Sequence, residues 1–523
     1  MVKFRLLAAV AVLMVGVMTL AAAGAGGSML VYGKAKDARG LDPGLIDEGN
    51  SSVVACQIYE SLLRYKPGTM EVEPCLAESL PAVAKDGLSL TFRLRKGVRF
   101  QDGTPFNADA VVFSLKRQND KNHPFNRFGP WNHWVTKGWS ATAKKPGIIK
   151  DIVKVDDSTV KVLLNTPDST VLYKFALYFT SIVSPSAAQK YQGDFRKNPV
   201  GTGPFQFVKW QKDDQIVLKR FDGYWGPKAR LPGIIFKVLP DEQGRILALK
   251  RGEADIIEQP APAGLASLEA DPGIKIQQGN FLSIGYLCLN CESGPFSHKL
   301  LRQAFNHAVN RQEILKTVYG KMGVAEKLPM PSLLWGYDKS IPDYDYNPDK
   351  ARALVKASGV PQPIRINLVY YPGYRPYNPS GQKVAEIVQA QLKAVGFDAR
   401  IQTYESGTYW DNVNAGKFDV CGDGWSGEAD PDDFLYGLFT EGVENTGRWR
   451  NQAYVDLVTR AKLVSGKPAR SRLYAQAERI LMDDAPVLVL ARGLAFQPMR
   501  KRVQGYTIYP NGKIYLAGVW LDK

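Results

Sequence analysis

The pattern that most constrains the fold of this 523-residue chain lies between Arg365 and Leu435. Ile366-Asn367-Leu368-Val369-Tyr370-Tyr371 is a short, mostly apolar run of the kind that forms a strand. Pro372 to Pro379 is crowded with Pro, Gly and Asn, a turn composition. Val384, Ile387, Val388, Leu392 and Val395 then share one helical face, and Gly396 stands where a left-handed cap stops the helix. Phe397 to Tyr404 alternates as a second strand, so strand, helix and strand form a parallel unit. A third strand, Phe418-Asp419-Val420, runs on into Gly424-Trp425-Ser426-Gly427-Glu428-Ala429-Asp430-Pro431. Two loops are therefore expected to leave neighbouring strand ends, where open α/β sheets bind ligands. One carries the Arg375 guanidinium; the other carries Trp425 and several carboxylates.

The amino terminus speaks to location. Lys3 and Arg5 precede an apolar run from Leu6 to Leu20, and small residues follow it. That order describes a cleaved export signal, with a mature terminus expected between Ala22 and Ser28. The run is short for a membrane anchor, and no later segment approaches a spanning length. The first cysteine after it is Cys56, too distant for lipid attachment at a new terminus. The remaining chain is too long for one core and calls for at least two domains. A net charge of +16, or +14 without Lys3 and Arg5, raises the question of nucleic acid. The basic residues are scattered, and their longest run is Arg500-Lys501-Arg502, so the charge reads as a solvated surface.

Chemistry-bearing motifs are few. Asn198 to Phe205 is glycine-rich but lacks the Gly-Lys-Ser/Thr ending of a phosphate loop and leads into a strand. Cys288 and Cys291 form a CxxC without a redox context, and four histidines in all give no zinc pattern. No Gly-x-Ser-x-Gly elbow occurs, and no metal or cofactor is called for. An exported hydrolase stays open as the less favoured alternative, because a pair of placed carboxylates would leave no sequence signature. Five cysteines in an exported chain allow two disulfides, and the strand-end positions of Cys288 and Cys421 suggest that these two are bridged. Elsewhere, Val53 to Tyr65 reads as a helix, Asn107 as the cap of a helix from Ala108, and Pro486 to Leu494 as a buried strand.

Several segments together resemble one family. They are Val98 to Phe113, Asn198 to Phe205, Phe221-Asp222-Gly223-Tyr224-Trp225-Gly226, Arg302 to Asn310, Trp335-Gly336-Tyr337 and Arg375-Pro376-Tyr377-Asn378-Pro379. The chain is similar, over essentially its whole mature length, to the extracytoplasmic solute-binding proteins (family 5) of ATP-binding-cassette peptide importers. The resemblance implies two α/β lobes joined by two hinge strands, with a subdomain inserted in the first. Residues 1–25 would be the signal, 26–282 plus 496–523 lobe one with its insertion at about 53–188, and 283–495 lobe two. It also implies a periplasmic monomer that closes over its ligand and docks on an inner-membrane permease. In peptide-binding members an arginine like Arg375 grips the ligand carboxylate, and an acid after the Gly-Trp pair holds the ammonium. That acid is Glu428 here, with Asp430 as the rival, because this loop is one residue shorter than the family pattern. Trp425 and Tyr377 would line the cleft, and Trp131 and Trp134 would wall side-chain pockets. Opines, glutathione, haem and nickel complexes are the alternative ligands of the same fold.

Overall fold

The computed structural model describes residues 28–46, 48–131, 147–442 and 444–523. The expected signal and Trp134 lie outside the described residues. A single 12-stranded mixed sheet runs through the molecule. Its strands are β1 (Leu30–Lys34), β2 (Phe205–Gln211), β3 (Gln215–Arg220), β4 (Gly233–Val238), β5 (Ile256–Ile257) and β6 (Ile274–Asn280). They continue with β7 (Ser283–Leu289), β8 (Gly323–Ala325), β9 (Ile364–Tyr370), β10 (Phe397–Thr403), β11 (Val420–Ser426) and β12 (Val487–Arg500). The order is β10-β9-β11-β7-β12-β5-β1-β4-β3-β2, with β6 and β8 also paired to β12.

The sheet has two halves, and β12 belongs to both. Val487 to Ala491 pair with β7, whereas Leu494 to Arg500 pair with β6. β6 and β7 are themselves consecutive, separated only by Phe281 and Leu282. The halves are thus joined where β6 passes into β7 and where β12 crosses from one partner to the other. This is the expected two-lobed architecture with two connecting strands. The sequence run Pro486 to Leu494 understates β12, because Arg492, Gln497 and Pro498 interrupt its apolar character. Gln497 is nonetheless buried, and its side-chain amide donates to the Ile257 carbonyl at 2.6 Å.

Each half has its own core. Leu30, Tyr32, Ile216, Leu218, Ile234 and Phe236 pack together in the first, and Leu301, Phe305, Leu368, Val388 and Leu392 in the second. The insertion carries a separate four-stranded antiparallel sheet built from Ala82–Val83, Ser89–Arg93, Thr159–Leu164 and Ile149–Asp156. Its core, around Phe92, Val160 and Phe175, is continuous with Tyr286, Tyr409 and Tyr454 of the second lobe. Backbone contacts cross that boundary too, for the Ser169 amide donates to the Lys462 carbonyl at 2.9 Å. The Asn107 cap is present, its side chain accepting from the Ala110 amide at 3.1 Å.

Two expectations need correction. The helix read over Val53 to Tyr65 is α1 (Gly49–Ile58), followed by a strand at Leu63–Tyr65. It stops because the Ile58 carbonyl is claimed from outside, by the Gly203 amide at 2.8 Å and the Gln101 amide at 3.1 Å. The Cys288–Cys421 bridge is absent: all five cysteines are free thiols. Cys288 and Cys421 do face each other across the β7–β11 register. Directly opposite antiparallel residues hold their Cβ atoms roughly 4.5–5.5 Å apart, wider than the ~3.8 Å typical of a disulfide.

Candidate ligand-binding site

The expected parallel unit is present. β9 pairs in parallel with β10 along its length, and α2 (Gly381–Lys393) connects them with Val384, Val388 and Leu392 buried. β11 lies on the other side of β9, also parallel, with Leu368 opposite Val420 and Val369 opposite Cys421. The loops after β9 and β11 therefore emerge side by side, as the sequence pattern requires.

The first loop is rigid for identifiable reasons. Arg375 to Asn378 form a tight turn closed by two backbone hydrogen bonds, Arg375 N to Asn378 O at 3.2 Å and Asn378 N to Arg375 O at 3.0 Å. Pro376 occupies the second turn position, where its fixed φ suits the geometry. The turn lies on three glycines from three neighbouring strands. A side chain at Gly285 would strike the Tyr377 carbonyl, one at Gly493 the Pro376 carbonyl, and one at Gly424 the Tyr377 ring. The Tyr319 hydroxyl adds a 2.7 Å hydrogen bond to the Tyr377 carbonyl. From the first lobe, the Gln259 amide donates to the Tyr374 hydroxyl at 2.7 Å.

Arg375 projects from this platform half-buried. Its guanidinium carbon lies 4.3 Å from the centre of the Tyr371 ring, and one terminal nitrogen donates to the Tyr371 hydroxyl at 2.8 Å. Among the described residues, Nε is buried without a hydrogen-bond partner, and so is the side-chain oxygen of Asn378. Asp423 lines the same small recess, together with Tyr371, Tyr377 and Trp410. Burial pushes the Asp423 carboxyl up to about 6, while the Gly424 amide, the Thr446 hydroxyl and the Arg375 charge work in the opposite direction.

The second loop is anchored by Asp433, which accepts from the Trp425 indole and from the Glu428 amide, each at 3.0 Å. The half-buried Glu428 carboxylate accepts a 3.2 Å hydrogen bond from the Tyr65 hydroxyl of the first lobe. Asp430 is differently placed. Both its oxygens are held by Arg470 at 2.6 and 2.8 Å, and both side chains are only 3% exposed. Burial raises the Asp430 carboxyl and the Arg470 charge lowers it.

Tyr65 also lines the principal cavity, about 510 Å³ in volume, which lies wholly within the first lobe and its insertion. Tyr224, Tyr509 and Tyr515 form much of its wall. At one side the Glu60 carboxylate accepts from the Tyr224 hydroxyl at 2.7 Å, the Trp225 indole at 2.8 Å and the Thr202 hydroxyl at 2.9 Å. Burial raises the Glu60 carboxyl, and those three donors oppose the rise. The pocket wall is thus made of tyrosines, where tryptophans were expected. Trp131 is buried against the insertion core, with its indole donating to the Asn126 carbonyl at 2.8 Å and the Arg117 guanidinium 5.2 Å from its ring. The tyrosines of the cavity carry no motif of their own, and only Tyr224 falls in one of the segments that carry the family resemblance. Among the described residues no cluster of three His, Cys, Asp or Glu side chains is arranged to hold a metal.

Two lobes linked by two strands, with charged loops at the strand ends of one facing the other, define a cleft-type binding protein. The chain belongs to the bacterial extracellular solute-binding proteins, family 5, whose model matches residues 71–446. It is 36% identical over 510 residues to the dipeptide-binding protein of Escherichia coli, covering 94% of each chain. It is 35% identical to heme-binding protein A of Haemophilus influenzae, covering 94% of this chain and 92% of that one. Among solved structures it is similar to the ABC transporter-associated periplasmic binding protein DppA from Helicobacter pylori in complex with peptide STSA. That match has a TM-score of 0.81, 33% identity and coverage of 95% of this chain and 99% of the other.

Proposed function

We propose that this solute-binding protein captures short peptides with free termini in the interlobe cleft and delivers them to an inner-membrane permease. Arg375 takes the ligand carboxylate, and Glu428 takes the ammonium. The observation that carries the reading is the state of Arg375: stacked and oriented on a rigid turn, with a buried donor still uncommitted. A planar fork held in this way suits a carboxylate, and closure strengthens the pairing by excluding water. Glu428 is preferred over Asp430 because Arg470 already occupies both Asp430 oxygens. Trp425 and Tyr377 line the cleft between the two charges. The closing bodies are 26–282 with 496–523, carrying the insertion at about 53–188, and 283–495. Export by the signal at 1–25 places the protein in the periplasm. The peptide-bound Helicobacter relative and the Escherichia coli dipeptide-binding protein support this ligand class. The protein works by stoichiometric capture, without turnover.

Calorimetry with a dipeptide panel tests it. Free dipeptides bind, and N-acetylated or C-amidated forms lose most of their affinity; equal binding of blocked and free forms rejects the assignment. The 510 Å³ cavity favours, as a second reading, a solute bulkier than a dipeptide. The Haemophilus influenzae relative is named for haem, and a Soret titration separates the two readings.

A further inference from the structure

Asp423 has no part in the scheme above, yet it is the carboxylate nearest in kind and place to what Arg375 would bind. It is 8% exposed and lines the Arg375 recess beside the unpartnered Arg375 Nε and Asn378 oxygen. It is oriented by the Gly424 amide at 2.7 Å and the Thr446 hydroxyl at 2.8 Å, so among the described residues it has neutral donors but no ion pair of its own. The other titratable groups around it are Tyr286, opposite it in the β7–β11 register, Tyr377 from the Arg375 turn, Tyr409 from the helix Ser406–Asn414, and the thiols of Cys288 and Cys421. Burial holds every one of these in its neutral form across the physiological range. Arg448 acts on Cys421 from the next loop, which leaves Arg375 as the cation that acts on Asp423 itself.

We infer that Asp423 is the resident counter-ion of Arg375, and that a ligand carboxylate arriving at Arg375 takes over this role and drives a proton from solvent onto Asp423. The inference rests on the peptide reading for its ligand, not for the Arg375–Asp423 coupling. Two carboxylates sharing one guanidinium in a water-poor recess repel, and protonation of the more buried one removes the conflict. The balance is simple: one buffer proton is bound to an Asp423 oxygen per ligand carboxylate accepted, and no covalent bond changes. Since the free-state carboxyl sits at about 6, most of a proton is absorbed per peptide at pH 7 and little at pH 5. Affinity then weakens by up to about tenfold per pH unit above that value.

Two measurements on the mature chain test this. The first needs no ligand. Thermal unfolding is followed from pH 4.5 to 8 in wild type, Asp423→Asn, Arg375→Gln and the double variant. A carboxyl raised in the fold stabilises fully below its unfolded value, and that stability is lost as pH rises through about 6. Asp423→Asn therefore gains about 2–4 °C over wild type at pH 8 and nothing at pH 4.5. In the Arg375→Gln background the gain is larger, because the opposing cation is gone. An identical gain in both backgrounds overturns the counter-ion assignment. The second measurement is calorimetry of Ala-Phe and its C-terminal amide in two buffers of different ionisation enthalpy. Proton uptake occurs with the free peptide, is absent with the amide, and disappears in Asp423→Asn. Free-peptide binding without proton uptake overturns the displacement step. If no dipeptide binds while the unfolding data show coupling, the peptide reading falls and the counter-ion assignment stands.

Discussion

Arg375 and Arg470 stand at the same end of the second lobe and begin alike. Each lays its guanidinium near an aromatic ring, Arg375 at 4.3 Å from Tyr371 and Arg470 at 4.8 Å from Trp335. They part in what completes them. Arg470 closes both forks on Asp430 and adds the Tyr474 hydroxyl at 2.8 Å, leaving neither charge any reason to seek a ligand. Arg375 has one neutral hydrogen bond, a buried donor unpaired, and a carboxylate in its recess that forms no ion pair with it. Satisfied pairing marks architecture, and incomplete pairing at a strand end marks a place prepared for a partner. Residue type alone distinguishes neither.

The largest expected effect follows removal of Arg470. Arg470→Met strands a buried Asp430 charge, and urea unfolding is expected to show a loss of about 3–5 kcal/mol. Arg375→Gln, by contrast, leaves unfolding within about 1 kcal/mol of wild type, since Asp423 in its recess is hydrogen-bonded to neutral donors and not to the guanidinium. Its effect falls on binding: the dipeptide affinity drops by about 10²-fold in calorimetry, the loss of charge-assisted bonds worth ~1.5–3 kcal/mol. If Arg470→Met proves stable and binding-deficient while Arg375→Gln unfolds, the roles assigned to the two arginines are reversed.

Much of this is legible in the sequence alone. The period-2 and period-3.6 patterns between Ile366 and Tyr404 specify a parallel unit because each strand is buried by the helix that connects it. The turn at Arg375 is equally local, since Pro376 fixes it. What the pattern concealed was long-range. That Asp430 is taken up by Arg470, forty residues away, follows from no spacing rule. The short β5 depends on pairing with β1 and with Met499, both far away in the chain, the two-partner β12 depends on pairing in both lobes, and the tyrosine-walled cavity is assembled from α1, the Tyr224 turn and the carboxyl-terminal tail. Asp423 lay unnoticed within an apolar strand, where a polar residue facing a ligand loop carries no periodic signal.

A third buried carboxylate, Glu478, is hydrogen-bonded to no arginine among the described residues. Glu478 is 1% exposed and, among the described residues, accepts only from the Asp338 amide at 3.2 Å and has its second oxygen without a partner. Burial pushes its carboxyl up to about 8, with the Lys327 and Arg479 charges opposing weakly. The sign follows directly: stability from this group is complete below its ordinary carboxyl range and is lost as pH rises through about 8. Glu478→Gln is therefore expected to stabilise by about 1–2 kcal/mol at pH 8.5 and to be neutral at pH 4.5. Denaturation curves at the two pH values check it, and a stabilisation that is greater in acid contradicts it.

The smallest expected effect lies where the lobes meet. Tyr65 is buried in the first lobe, yet its hydroxyl reaches Glu428 in the second at 3.2 Å, at the long end for an O–H donor. If Glu428 takes the ligand amine as proposed, this bond orients the carboxylate for it and ties the two lobes together. Neither demands much, because Glu428 keeps its backbone anchor on Asp433. Tyr65→Phe removes one hydroxyl and preserves the ring that packs against the cavity. A long hydrogen bond to a charged, half-exposed acceptor is worth about 0.5–1 kcal/mol net, so dipeptide affinity should fall two- to fivefold. The loss should vanish for N-acetylated peptides, whose amine no longer uses Glu428, although their absolute affinity is already low. Stopped-flow kinetics assigns the origin. Faster release with unchanged association means that the hydroxyl holds the closed state, while an unchanged release rate means that it only orients Glu428. A loss of more than tenfold would show that Tyr65 contacts the ligand directly, and the ammonium site would then have to be redrawn around both residues.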